Sequence, residues 1–223
     1  MEPILILGTG ALAVLFAARL GAAGTPATLL GSWPEGLAAL RSDGARLQMP
    51  DGSEQAVPVR VFAWEEPCPP ARLALVLVKS WKTTAAAARL ADCLEPDGLA
   101  VSLQNGLGNR PLLAAALGEE RLALGVTTGG ATLLAPGLAR PGGEGPVWLE
   151  AGPRLGPLEA ALQHAGFEVH AVPNADSLVW GKLVVNAAIN PLTALWRIPN
   201  GELLRQPDVR RRMAALANEA AAV

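Results

Sequence analysis

The stretch Ile4-Leu-Ile-Leu-Gly-Thr-Gly-Ala-Leu-Ala13 decides the fold of this chain of 223 residues. Its first four apolar residues are typical of a strand that is buried on both faces of a parallel sheet. Glycines follow at once, and the helical pattern of residues 11–23 ends at Gly24, a residue suited to a C-cap. Because Ala27-Thr-Leu-Leu30 then predicts a second strand, the chain is expected to begin with a βαβ unit.

The same alternation of strand and helix continues through the first half of the sequence. Buried strands are predicted at residues 73–78, 99–103 and 122–127, with helices at 83–94 and 109–117. After Thr132, prolines and glycines separate short segments such as 147–150, which predicts an antiparallel meander, and a helix at 155–165 and a strand at 168–172 follow. This order is typical of a doubly wound α/β sheet.

From Asp176 onward the pattern is helical only. One helix is expected from Asp176 or Ser177 to about Asn190, where Pro191 should kink or end it. A last helix is expected from about residue 207 to residue 223. The predicted fold class is therefore α/β, with a Rossmann-type dinucleotide-binding domain at 1–174 and an all-helical C-terminal domain at 175–223.

Composition excludes several classes of function. Eighteen basic and 20 acidic residues give a net charge of −2 with no basic run, so neither nucleic acid nor an anionic membrane is an expected partner. The apolar N-terminus starts with Glu2, is interrupted by Gly8 and Gly10 and is closed by Arg19, which favours core structure over a leader or anchor. A cytoplasmic protein is predicted.

Cysteine and histidine give no sign of a metal centre. Cys68 and Cys93 lack a CxxC spacing, and His164 and His170 stand apart from both. We therefore expect no metal and no Cys/His nucleophile, and a core of this size needs no disulfide.

The strand-to-helix turn Gly8-Thr9-Gly10-Ala11-Leu12-Ala13 fits GxGxxA, a variant of the dinucleotide fingerprint. Gly8 allows the tight turn, Gly10 the close approach of the backbone to a pyrophosphate, and Ala13 the close packing of helix on sheet. Phosphates would meet the free N–H groups at the positive end of the helix. Packing alone can produce such a turn, but its place in the first βαβ unit favours dinucleotide binding.

The residues after the second strand bear on the choice of cofactor. Leu30-Gly31-Ser32-Trp33-Pro34 contains no carboxylate to hold the ribose hydroxyls of NAD, which favours NADP, yet it also lacks an Arg for the 2′-phosphate. Ser32 can donate a hydrogen bond to that phosphate, and Lys79, after another strand, can add charge. The alternative is that Ser32 and Trp33 only form a turn and cover apolar surface.

Three polar residues, Lys182, Asn186 and Asn190, lie four apart in an otherwise apolar stretch near the C-terminus. On a helix they form one polar stripe. A cation and two amides are costly to bury without partners, so the stripe is expected to face a polar ligand or a wet cleft. The alternatives are that Lys182 extends to solvent over an apolar face and that Asn190 only terminates the helix before Pro191.

These features resemble the ketopantoate reductase (2-dehydropantoate 2-reductase) family. The resemblance runs from Ile4 to about Val223 and is strongest at the glycine turn, at Gln104-Asn-Gly-Leu-Gly108 and across residues 180–203. It implies reduction of a 2-oxo acid by NADPH in pantothenate and coenzyme A biosynthesis, with a small-molecule substrate bound between a Rossmann domain and a helical domain.

The resemblance also implies a role for each polar residue. Lys182 matches the general acid, Asn186 and Asn190 match substrate-binding asparagines, and Asn105 matches an asparagine near both nicotinamide and substrate. The Asn-Gly dipeptide at Asn105 also suits a turn with no further function. Rival functions are a reductase paralogue for another 2-oxo acid and a non-catalytic dinucleotide-binding protein.

The chain departs from the family pattern in its last part. The family's later helices, with a Ser and a Glu that bind substrate, have no counterpart here, so the helical domain is expected to be incomplete. A cleft without that wall should leave Lys182 more solvated, with a pKa near the ordinary value of about 10.4. Exposed apolar helix faces then predict a homo-oligomer.

Overall fold

The computed structural model describes residues 2–223 as a mixed α/β chain. Its strands are β1 (Ile4–Leu7), β2 (Ala27–Gly31), β3 (Ala45–Gln48), β4 (Glu54–Val57), β5 (Arg60–Ala63), β6 (Ala71–Val76), β7 (Leu94–Ser102), β8 (Leu122–Thr127), β9 (Ala131–Ala135), β10 (Leu138–Pro141), β11 (Val147–Glu150) and β12 (Val169–Val172). Its helices are α1 (Ala11–Ala22), α2 (Pro34–Asp43), α3 (Thr83–Cys93), α4 (Asn109–Leu117), α5 (Gly156–His164), α6 (Asp176–Trp196), α7 (Asn200–Leu203) and α8 (Pro207–Ala221).

The main sheet has eight strands in the order β12-β11-β8-β7-β6-β1-β2-β5. The six from β5 to β8 are parallel, and their order is that of the dinucleotide-binding fold. β11 pairs antiparallel with β8, and β12 pairs parallel with β11. The predicted Rossmann-type α/β fold is confirmed.

The central strand β1 is buried on both faces, as its unbroken apolar run predicts. Ile4 and Ile6 belong to one apolar core, which also contains buried residues of α1 and α5. Leu5 and Leu7 belong to a second core, with buried residues of α3 and α4. Since successive side chains of a strand point to opposite faces, β1 is covered on both sides.

The structure has a second sheet, of four strands in the order β4-β3-β10-β9, and the sequence predicted only part of it. The predicted meander is present as the antiparallel β9–β10 pair. Residues 147–150 lie in the main sheet instead, where Val147 and Leu149 are fully buried. Burial of those two alternating side chains explains why β11 pairs with β8.

Pro191 was expected to kink or end its helix, and it does not end it, because α6 continues to Trp196. A proline removes one backbone donor, but packing can hold the turn that follows. Here Leu192 is buried with Leu203 and Val209 in the small core of the helical part. The proposal that Asn190 only terminates the helix is therefore wrong.

By their contacts, the described residues divide into two compact units. The first reaches Ala175 and omits the loop at 105–107, and the second contains that loop together with residues 176–223. The domains at 1–174 and 175–223 stay a prediction, and the loop is an addition that the sequence did not indicate.

A disulfide joins Cys68 to Cys93, which the size of the core gave no reason to expect. Cys93 ends α3, and Cys68 lies in the loop before β6. The turn of the chain from β6 into α3 returns Cys93 towards that loop and leaves the two Cα atoms 5.8 Å apart. Such a separation suits a disulfide.

Candidate functional site

The glycine turn after β1 has the geometry that a dinucleotide site requires. Gly8 has a φ of +131°, and a Cβ there would lie 3.2 Å from the carbonyl of Leu77. At Gly10, the N-cap of α1, a Cβ would have no neighbour within 4 Å, and no side chain caps the helix. Because Gly10 leaves open space beside the first N–H groups of α1, the turn fits a pyrophosphate.

Packing also fixes the small residues around this turn. Ala13 is buried, as its place in the fingerprint predicts. Thr9 is buried too, and a Cβ on Gly31 would lie 2.7 Å from the Thr9 methyl group. A glycine at the end of β2 is therefore required for the turn and the strand to meet.

A cleft of about 230 Å³ opens beside the turn, within the first compact unit. It gathers the predicted residues Gly8, Thr9, Gly10, Ser32 and Lys79, whereas Ala11, Leu12 and Ala13 are not among its lining residues. The rest of the lining consists of Gly31, Trp33, Trp64, Leu77, Val78, Trp81 and Lys82. Glycine backbone, tryptophan rings and lysines in one cleft suit a dinucleotide, which combines phosphates with an aromatic base.

Lys82 is a residue that sequence reasoning missed. Its ammonium donates a 2.6 Å hydrogen bond to the Ser32 hydroxyl. Only three of the 18 basic residues in the sequence are lysines. Two of them, Lys79 and Lys82, line this cleft, and the third is Lys182. That distribution was the available signal.

Asn105 lies exposed in the loop between β7 and α4, followed by Gly106 with a φ of +89°. Both the family role and the plain Asn-Gly turn are compatible with this position. The base of the loop is held by Gln104, whose amide donates to the Thr83 hydroxyl at 2.9 Å, and that hydroxyl is 2.9 Å from Oδ1 of Asn109.

The polar stripe lies on α6, in the second unit. Lys182 and Asn186 are half-buried, and Asn190 is exposed. Burial lowers the pKa of Lys182 from its ordinary value of 10.5, because desolvation disfavours the charged form. The expectation that the pKa of Lys182 stays near its ordinary value is therefore wrong.

α6 is also the one described helix with the length and apolar composition of a membrane span, at 21 residues and a mean hydropathy of 1.3. Helices of soluble proteins meet the same criterion, so this is weak support for a span. The Lys and two Asn at four-residue spacing would be costly in lipid.

Comparison with known proteins decides the family. The family model for ketopantoate reductase PanE/ApbA matches residues 4–154, and the model for its C-terminal part matches residues 174–223. The chain belongs to the ketopantoate reductase family. Its α6 stripe and its glycine turn thus fall inside the two matched regions of that family.

Curated relatives agree with this assignment. The chain is 33% identical to the 2-dehydropantoate 2-reductase of Halobacterium salinarum over 97% of this chain and 73% of the relative. It is 34% identical to the enzyme of the same name from Archaeoglobus fulgidus, over 98% of this chain and 72% of the relative. These relatives are reductases and therefore belong to the oxidoreductases.

Solved structures share the fold over nearly the whole chain. A PanE/ApbA family ketopantoate reductase from Ralstonia eutropha JMP134 is 29% identical, with a TM-score of 0.87 over 99% of this chain and 73% of that one. A ternary complex of D-mandelate dehydrogenase with NADH and anilino(oxo)acetate has a TM-score of 0.91 at 22% identity, over 99% of this chain and 73% of that one. At that identity the likeness concerns the fold alone.

Proposed function

We propose that this ketopantoate reductase family chain reduces 2-dehydropantoate to pantoate with NADPH, and that Lys182 is the general acid. The observation that carries the proposal is the state of Lys182: half-buried on an apolar helix, with a pKa lowered by desolvation. A structural lysine at the surface has no need of such a position.

The proposed chemistry assigns one task to each residue. A bound NADPH would supply a hydride to the ketone carbon, which would leave negative charge on the oxygen. The Lys182 ammonium stabilises that charge and donates the proton. Asn186, Asn190 and Asn105 bind the hydroxyl and carboxylate groups of the substrate through their amides.

NADPH rather than NADH is the proposed cofactor. β2 is followed by Ser32 and not by a carboxylate, and Lys79 lies in the same cleft. An acidic residue at this place holds the two ribose hydroxyls of NAD, and its absence removes the repulsion that a 2′-phosphate would meet. Measuring KM for NADPH and for NADH with one protein tests this choice.

The decisive experiment follows NADPH oxidation with 2-dehydropantoate. Lys182→Ala should lower kcat by about 10²- to 10⁴-fold, the usual contribution of a general acid. Arg212→Ala, which removes an exposed cation of α8, is the matched control and should leave kcat unchanged. If the wild-type protein binds NADPH but oxidises it with no 2-oxo acid of a panel, the proposal fails and a non-catalytic dinucleotide-binding role replaces it. Faster turnover of another member of the panel would indicate a paralogue.

We also propose a cytoplasmic homo-oligomer. Val185, Leu195 and Leu204 are apolar residues of the helical unit and are more than half exposed, which favours burial against a second copy. A native mass equal to one chain, measured by light scattering, would overturn the oligomer. Recovery in the membrane fraction of a cell lysate would overturn the location.

A further inference from the structure

The contact between Lys82 and Ser32 joins the ends of two elements that are distant in sequence. Ser32 is the first residue after β2, and Lys82 is the last residue of a 3₁₀ turn, Ser80–Lys82, that follows β6. The Nζ to Oγ distance of 2.6 Å spans 50 residues of chain. Lys82 is half-buried, whereas Lys79 is exposed and makes no such contact with Ser32.

The cleft at this point has positive charge without compensation. Its lining includes Lys79 and Lys82 and contains no Asp or Glu. Among the described residues 2–223, neither Lys79 nor Lys82 takes part in an ion pair. An anion brought to the cleft would therefore meet two cations that no described carboxylate neutralises.

The hydrogen-bonding capacity of the pair suits a phosphate better than a diol. Ser32 accepts a hydrogen bond from Lys82 and keeps its own hydroxyl proton to donate, and the Lys82 ammonium keeps two further N–H donors. A ribose diol that must donate would find no carboxylate acceptor in the lining. A phosphomonoester dianion accepts every one of these donors.

We propose that Lys82, positioned by Ser32, binds the 2′-phosphate of the adenosine half of the cofactor and selects NADP(H) over NAD(H). This inference rests on the proposed dinucleotide site and names the residue that determines its specificity. Lys82 takes the place of the Arg that the sequence after β2 lacks, since it brings a cation to the same point from the next βα connection.

Half-cofactors test the proposal without catalysis. Calorimetry with 2′,5′-ADP and 5′-AMP at constant ionic strength should give wild-type protein a preference of about tenfold or more for 2′,5′-ADP, as expected for a charge-assisted contact. Lys82→Ala should reduce this ratio to near one while leaving the Kd of 5′-AMP unchanged. Ser32→Ala should have a smaller effect of the same kind, because the charge remains. Arg212→Ala is the charge-matched control and should keep the full preference.

Chemical labelling gives a readout on the wild-type protein. The sequence has only three lysines, so acetylation followed by mass spectrometry resolves each one. Saturating 2′,5′-ADP should protect Lys82 several-fold more than saturating 5′-AMP does, with Lys182 as the internal reference.

Three outcomes would overturn the proposal, and the first of them would also overturn the proposed dinucleotide site. If neither nucleotide binds, the dinucleotide site and this inference both fail. If both bind with equal affinity, the site stands and selection by a 2′-phosphate fails. If Lys79→Ala removes the preference and Lys82→Ala does not, the selecting cation is Lys79.

Discussion

The side-chain amide of Gln104 donates a 3.0 Å hydrogen bond to the carbonyl oxygen of Val78. Each residue lies two positions beyond the end of its strand, β7 for Gln104 and β6 for Val78. The Gln104 amide oxygen accepts a 3.0 Å bond from the Ser102 hydroxyl, so both ends of the amide are used. This bridge fixes the point from which the Asn105 loop departs.

Gln104→Glu should destabilise the protein by about 1–3 kcal/mol at pH 7, because a carboxylate cannot donate to the Val78 carbonyl. The measurement is the free energy of unfolding in urea. Gln55→Glu, at an exposed site of β4, is the matched control and should change stability by less than about 0.5 kcal/mol. Equal effects of the two substitutions would contradict a structural role for the bridge.

Two glycines of the same turn should respond differently to alanine. Gly10→Ala should leave stability unchanged within about 0.5 kcal/mol but weaken NADPH binding at least tenfold, since its Cβ enters the space proposed for pyrophosphate. Gly8→Ala should cost about 1–3 kcal/mol of stability, because its φ of +131° suits only glycine. Urea unfolding measures the stability of each variant, and fluorescence titration measures its affinity for NADPH. Undiminished NADPH affinity in Gly10→Ala would place the pyrophosphate elsewhere.

The main sheet could be predicted because several of its strands are apolar runs that can be recognised in the sequence. β1, β6 and β8 are short apolar runs, and runs of this kind predict strands covered on both faces. Residues 34–63 were not predicted: β4 is mostly exposed and β5 is only half-buried. β4 has no apolar run of its own, and that of β5 is only three residues long, Val61 to Ala63, so their structure depends on pairing with β3 and β2.

The candidate site divides in the same way. The shape of the glycine turn at Gly8 and Gly10 and the helix that carries the stripe at Lys182 could be predicted, because both depend on local spacing in the sequence. Lys82 was missed, since the scarcity of lysine is a weak signal and its contact with Ser32 joins residues 50 positions apart. The lowered pKa of Lys182 was not predicted for this chain, because burial depends on which residues pack around α6 and not on the spacing of the stripe.

Loss of the disulfide should lower stability without changing the fold. Cys68 and Cys93 close a loop with a sequence separation of 25, for which the chain-entropy model gives about 3.5 kcal/mol. Cys68→Ser should therefore unfold at a lower urea concentration than oxidised wild-type protein. Dithiothreitol should shift the wild-type midpoint in the same direction and leave that of Cys68→Ser in place. An unchanged wild-type midpoint would show that the bond contributes nothing.

Replacing the proline inside α6 should stabilise the protein. Pro191→Ala restores the N–H that can donate to the carbonyl of Ala187, and we expect a gain of about 1–2 kcal/mol. Pro207→Ala is the control, because the first turn of α8 has no intrahelical acceptor for that N–H and its stability should not rise. A loss of stability in Pro191→Ala would mean that α6 needs the proline at this point.

The protonation of Lys182 should affect two properties of the protein. As the pH rises, its stability should increase and its kcat should decrease. Burial lowers the pKa of Lys182 in the folded protein below 10.5, its value in the unfolded chain. At a pH between these two pKa values, the unfolded chain therefore binds more protons than the folded protein. Above pH 10.5 the Lys182 amine is neutral in both states and does not lower the free energy of unfolding. As the pH falls from 10.5 through the folded pKa, the free energy of unfolding decreases, because the unfolded chain binds the proton more readily than the folded protein. Lys182→Met, which cannot titrate, should be more stable than wild type at pH 7, and the difference should shrink as the pH approaches 10.

Activity should follow the other direction, because only the protonated amine can donate to the substrate oxygen. The kcat of the wild-type protein should fall as pH rises through the lowered pKa of Lys182, at a pH below 10.5. Urea unfolding of wild type and Lys182→Met at pH 7, 8.5 and 10 measures the first effect, and a pH profile of NADPH oxidation measures the second. A stability difference that stays constant with pH would show that burial does not perturb this lysine, and a kcat that stays flat to pH 10 would remove Lys182 as the proton donor.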